Sequence, residues 1–262
     1  MKKATAIEKI NACIAARDAA RLELEKIAGN DIKGDVIKVF LEPWQVYNIR
    51  ELIHNGITYK HSGKMAGISS YSTATMINSF CENMRKKDGC ICSKCYADTL
   101  LQLRPTLALK AAKNTGIISS YVLPIACFPY LNYQYFRFNA FGELNNYIEC
   151  YNYYKWAIKN PHCTFALWTK RLDIVAYVDT LQVRPENLNI VYSNPHIDTP
   201  EQIREKMRYL KSHFIDNLHA VFSVYTHPGE NQNCPKKCID CLKCYRAHIP
   251  GAAPLDIIEK LK

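Results

Sequence analysis

Thr164-Phe165-Ala166-Leu167-Trp168-Thr169-Lys170-Arg171 and, after a helical stretch over 172–181, Asn187-Leu188-Asn189-Ile190-Val191-Tyr192-Ser193 decide the fold. The first run is apolar and bounded by polar residues, as a strand buried on both faces would be. A helix of about ten residues then separates two strand-like runs. A strand returning to its neighbour through a helix pairs parallel, with a right-handed crossover.

The same alternation extends outward. Phe136-Arg137-Phe138-Asn139 reads as a preceding strand, followed by a helix over 143–158. Downstream, Thr199-Pro200-Glu201-Gln202 opens another helix with an N-cap, a first-turn proline and a capping glutamine. A further strand covers 218–225. Four strands joined by three crossover helices make an α/β fold, a parallel sheet or a partial TIM-like barrel. Toward the N-terminus, Thr5 and Glu8 fit a capping box, and Gly29-Asn30 stops the helix that they begin. A short extended piece over 36–41 leads to a second helix, with Pro43 in its first turn and Asn55-Gly56 at its end. Residues 57–79 are polar and small and read as an ordered loop, whose Ser69, Ser70, Ser72, Thr73 and Thr75 offer hydroxyls to an anion. Helical sequence resumes at Tyr96 and runs to Lys113, bent at Pro105. The chain divides into a helical lead-in over 1–60 and an α/β metal-binding domain over 61–262, together one compact unit. There is no internal repeat and no low-complexity tract.

Composition narrows the class. Hydrophobic residues make up 48% of the 262, which supports a substantial core and excludes a disordered chain. No stretch approaches the length of a membrane-spanning helix, and the start of the chain has no apolar segment after its lysines, which argues against a signal peptide. A reducing cytoplasm is the expected compartment, and there clustered cysteines bind metal more often than each other. The 34 Lys and Arg against 24 Asp and Glu leave a formal charge of +10, which favours an anionic small molecule or nucleic acid as partner and no membrane. The oligomeric state is left open.

The chemistry lies in the cysteines. Cys234-Pro-Lys-Lys-Cys238-Ile-Asp-Cys241-Leu-Lys-Cys244 has the spacing of an iron–sulfur or zinc site, and close-set cysteines are awkward to pair in disulfides. A second group comprises Cys81, Cys90, Cys92 and Cys95, which would hold a second centre or share the first. Cys13, Cys127, Cys150 and Cys163 sit in apolar or helical contexts and read as core. One or two [4Fe–4S] clusters are expected, with zinc as the alternative.

Parallel α/β folds place their sites at the carboxyl ends of the strands. Reading those ends selects Arg137, Asn139, Lys170 and Ser193 as candidate catalytic residues. Thr169, Asn194 and His227 are candidate cofactor contacts. The last of these strands runs almost directly into Cys234, so the C-terminal cysteines are expected on the same rim, facing Asn139, Lys170 and Ser193.

Two resemblances attach to these residues. Cys234, Cys238 and Cys241 match the three-cysteine spacing of radical S-adenosylmethionine enzymes, so S-adenosylmethionine is a candidate ligand. That superfamily carries its motif after the first barrel strand, with an aromatic residue where this chain has Asp240. More of the chain, from Lys64 to Cys244, resembles the phage gene product eighty-eight family. The matching pieces are Gly63-Lys64-Met65-Ala66-Gly67, Cys81, Cys92-Ser-Lys-Cys95-Tyr96-Ala97, Phe136 to Glu143, Leu167-Trp168-Thr169-Lys170, Asn187 to Ser193 and the terminal cysteines. The family usually has His-Asp-Ser-Gly-Asp where this chain reads Asn139-Ala-Phe-Gly-Glu143. This resemblance implies a phage or mobile-element origin and a cysteine-bound metal. The expectation is an iron–sulfur protein acting enzymatically on a nucleotide, nucleic acid or other anionic substrate, or a zinc-stabilised nucleic-acid-binding module without catalysis.

Overall fold

The computed structural model of the chain describes residues 5–197, 218–234, 237–247, 249 and 252–261. The helix expected to open at Thr199 lies outside them.

The core of the molecule is a six-stranded, all-parallel sheet. Its strands are β3 (Ser69–Tyr71), β4 (Tyr135–Phe138), β5 (Thr164–Thr169), β6 (Leu188–Ile197), β7 (Ala220–Tyr225) and β8 (Leu255–Lys260), adjacent in chain order. A small antiparallel pair, β1 (Ile32–Lys33) and β2 (Val36–Ile37), precedes them. An order without reversal is that of a barrel rather than of a doubly wound sheet. The sheet's edges are also tied together. Lys64, just ahead of β3, donates to Glu259 of β8 at 2.7 Å and to the Cys234 carbonyl at 2.8 Å. The sheet therefore curls as a partial barrel.

Two of these strands were not legible in the sequence. The stretch read as a polar loop contains β3, whose Ser69 and Ser70, with Ser72, Thr73 and Thr75 beyond it, are buried; Ser70, Ser72 and Thr73 bond within the protein, while the Ser69 and Thr75 hydroxyls have no partner among the described residues and Thr75 lines the inner cavity. Strand β8 follows the cysteine-rich segment and pairs with β7 over its whole length. Neither strand carries a strong local signature, and both are defined by pairing with a neighbour.

The helices are α1 (Ala6–Ala28), α2 (Pro43–Gly56), α3 (Ser79–Arg85), α4 (Tyr96–Leu103), α5 (Pro105–Ile118), α6 (Tyr147–Lys159), α7 (Leu172–Leu181) and the single turn α8 (Cys238–Cys241). The capping box of α1 is present, with the Glu8 amide donating to Thr5 Oγ1 at 3.2 Å and the Thr5 amide to Glu8 at 2.6 Å. The expected bend at Pro105 is a full break: Arg104 leaves helical geometry and α5 begins at the proline. Helix α6 starts later than its sequence suggests, at a cap made by Asn146, because Glu143 is used elsewhere.

Strand alternation sorts the sheet into two faces. Phe136, Phe138, Phe165, Leu167, Leu188, Ile190 and Val221 meet the helices, packing with Trp156, Tyr153, Val175 and Ile49. Leu24 of α1 joins the same core, so the helical lead-in shares its burial with the sheet. The opposite face carries Ala166, Trp168, Val191, Ala220, Phe222 and Ile257. It is covered by the cysteine-rich tail, through Cys238, Leu242, Cys244 and Tyr245.

Candidate metal and anion site

The inner face of the curled sheet encloses a cavity of about 640 Å³. Seven cysteines line it: Cys81, Cys92 and Cys95 on one side, and Cys234, Cys238, Cys241 and Cys244 on another. All the cysteines are free.

The first group is set by the loop after β3. Asn78 caps α3 by accepting the Cys81 amide at 3.2 Å, which seats Cys81 in the first helical turn. The same asparagine donates to the Glu143 carbonyl at 3.0 Å and fixes α3 to the end of β4. Cys90 is 1% exposed and does not line the cavity. Its sulfur accepts the Cys92 amide, and its backbone pairs with His196 at the end of β6. Cys90 thus fastens the loop to the carboxyl rim.

The second group lies on the inner face itself. The Cys238 amide donates to Lys64 O at 2.7 Å and the Cys234 amide to Ile258 O at 3.1 Å. Leu242 takes a left-handed conformation (φ 52°), and the chain turns so that the Cys244 and Arg246 carbonyls accept from Asn189. Asn189 is near the amino end of β6. The tail therefore crosses the sheet instead of capping its rim, and it is the first group that faces Lys170.

Each group has a cation beside it, half-buried Lys170 at the first and buried Arg137 at the second. Lys170 Nζ donates to Ser193 Oγ at 3.1 Å. Burial presses its pKa down, but Glu143, Cys92, Cys81 and Cys95 outweigh that and hold it above the usual lysine value. Arg137 is 9% exposed and stacks on Trp168, its guanidinium carbon 3.9 Å from the ring centroid. Its Nε has no hydrogen-bond partner, and among the described residues no carboxylate pairs with it; Nη1 meets only Met65 Sδ, at 3.7 Å. Trp168 Nε1 is also unpartnered.

The thiols respond to the same surroundings. Burial raises Cys81, with Glu143 and Cys95 adding to the rise and Lys170 opposing it, and pushes Cys92 up to about 12. Burial likewise brings Cys244 to about 12, against the pull of Arg137. Burial thus favours the neutral thiols, and a bound metal would displace their protons.

The other candidates divide. Ser193 and Asn194 line the cavity with Lys170, although the Asn194 amide is engaged by Ser223 and by the His196 backbone. Thr169 is buried; it donates to Glu143 and accepts the Arg171 amide at 2.9 Å, so it positions the carboxylate. Glu143 also accepts the Lys170 and Leu144 amides, at 2.8 and 2.9 Å, and burial lifts its pKa against these bonds. Asn139 reaches the cavity wall, but its amide is committed to Thr73, Glu149 and Tyr153 and its backbone is left-handed (φ 51°). It braces the turn after β4. His227 is exposed and away from the cavity.

Sequence reading did not single out Lys64, Tyr96 or Trp168. Tyr96, next to Cys95, donates its hydroxyl to the Ala140 carbonyl at 2.5 Å and leaves its ring 65% exposed along the cavity. The signal for Trp168 was its strand register, which places it on the same face as Arg137 and Ser193.

The cavity's donor set has the composition of a thiolate-held metal centre: free thiols, a largely apolar wall and a guanidinium whose Nε has no partner. The sulfurs do not converge as a mononuclear zinc site demands, all at about 2.3 Å from one point; among the described residues no three Cys, His, Asp or Glu side chains form such a group.

Fold and site together define a parallel α/β protein with a cysteine-lined, cationic inner cavity. No protein-family model, curated protein or solved structure matches the chain. Among the described residues no helix is long and apolar enough to cross a membrane.

Proposed function

We propose that the chain is an iron–sulfur protein, encoded by a phage or mobile element, that works in the cytoplasm as an enzyme on an anionic substrate. The observation that carries this reading is the convergence of seven free cysteines, the half-buried Lys170 and the buried Arg137 on one cavity.

A [4Fe–4S] cluster bound there would supply one-electron chemistry to a ligand at an open iron. The chain's own residues do the rest. Lys170, held charged by Glu143, and Ser193 offer donors to a phosphate or carboxylate at the rim. Trp168, Phe222 and Tyr96 line an apolar space that limits water. Lys60, Lys94 and Lys260 add positive charge along the wall and favour a nucleotide or nucleic acid end over a neutral ligand. S-adenosylmethionine, a net cation, would meet this wall only through its carboxylate, at Lys170.

Anaerobic purification with metal and sulfide analysis tests the reading. Iron with acid-labile sulfide and a brown colour supports it. A colourless protein with stoichiometric zinc sinks it in favour of the zinc-stabilised nucleic-acid-binding module.

A further inference from the structure

The two cysteine groups differ in number and in what stands beside them. On the rim, Cys81, Cys92 and Cys95 line the cavity, whereas Cys90 turns its sulfur into the loop to accept a backbone N–H at 3.4 Å. Among the described residues no histidine lines the cavity, and its other cysteines all come from the tail. On the inner face, all four cysteines of the tail reach the cavity. The tail is anchored at Lys64, Ile258 and Asn189. The neighbours differ as well. Lys170 and Ser193 stand at the three-cysteine side, where a ligand's oxygen would meet an ammonium and a hydroxyl. Arg137, nine-tenths buried with an unpartnered Nε, stands under the four-cysteine side, beneath Trp168 and beside the Cys238–Tyr245 segment.

Resting on the iron–sulfur reading above, we propose that the cavity holds two unequal centres. Cys81, Cys92 and Cys95 hold a cluster with one iron open to an exogenous anion beside Lys170. Cys234, Cys238, Cys241 and Cys244 hold a coordinatively closed cluster whose negative charge is met by Arg137. A site that keeps one coordination position free is the one that takes a ligand; a site with four protein ligands does not.

The test uses the full chain reconstituted anaerobically with iron and sulfide, then reduced with dithionite. Wild type is expected to hold about eight iron per chain, two four-iron clusters. C81S and C92S should each halve the iron, and C238S and C241S should each remove the other half. C90S should keep the full content. Cyanide, as the probe anion, should shift the electron-paramagnetic-resonance signal of C238S protein and leave that of C92S protein unchanged. About four iron in wild type, with loss of all of it in both C92S and C238S, shows one shared cluster and overturns the proposal while leaving the iron–sulfur reading intact. Halved iron in C90S makes the rim centre four-coordinate and overturns it too, as does a cyanide shift confined to C92S protein. Zinc without sulfide overturns both readings at once.

Discussion

Arg137 is the buried cation of the cavity. Its guanidinium is buried against Trp168 without a carboxylate, and a buried charge left unpaired costs several kcal/mol. Replacing it with a side chain of similar length tests that cost. Arg137→Met keeps the packing on Trp168 and removes the charge, so the metal-free variant is expected to be more stable than metal-free wild type by about 1–3 kcal/mol. Urea titration reads this, and an equal or lower midpoint would show that the charge is compensated. The sequence selected Arg137 as a candidate catalytic residue at the end of a strand. That it meets no Glu143 was not visible there, because Glu143 turns away to the Thr169 hydroxyl and the Lys170 amide.

At the scale of elements, the close packing of α1 on α5 depends on Gly116. A methyl group there would press into the Arg17 carbonyl of α1, which is backbone and cannot swing aside. Gly116→Ala is expected to cost about 1–3 kcal/mol by overpacking. A lowered thermal midpoint checks it, and an unchanged one would mean that the two helices separate freely. Helix α6 contributes a different test through Glu149, which is fully buried and accepts from Thr73, Asn139, Tyr153 and both nitrogens of Asn145. Burial still lifts its carboxyl above the usual range, against these bonds. The folded state therefore binds the Glu149 proton more tightly than the unfolded state. This contribution favours folding in acid and is lost as pH rises from about 4.3 through the raised folded value. Glu149→Gln should flatten that decline. It should also cost about 1–3 kcal/mol at all pH values, because one amide nitrogen would face donors such as Asn145. Stability measured by denaturant titration across that range checks both effects; an unchanged slope would assign the decline to other groups.

The whole molecule is organised by what covers the inner face of its sheet. Helices bury one side, and the segment between β7 and β8 buries the other with four cysteines and little apolar surface of its own. Such a cover is expected to depend on its metal for stability. Trypsin should cut the metal-free chain at Lys237 or Lys243 many times faster than the metal-loaded chain, while the helical face stays resistant. Equal cleavage rates would show that hydrogen bonds to Lys64, Ile258 and Asn189 suffice. The positive charge makes a further expectation at this scale. If a nucleic acid is the substrate, its affinity should fall steeply with salt as counterions are released, and a flat response would favour a small-molecule substrate.

By itself the sequence determined that the fold is parallel α/β, because strand–helix–strand spacing around Thr164–Ser193 admits little else. It also determined that two sets of thiols exist. Tertiary structure decided how they are used. Ser69–Tyr71 is a strand because β4 supplies its hydrogen-bond partners, and its burial comes from long-range packing that no local pattern encodes. Cys90, expected with the first set, is off the cavity wall because its sulfur accepts the Cys92 amide within its own loop, a matter of backbone geometry and not of spacing. The tail lies across the sheet instead of on its rim because residues far away in the chain hold it there: Asn189 donates to the Cys244 and Arg246 carbonyls, and Lys64 donates to the Cys234 carbonyl and accepts the Cys238 amide.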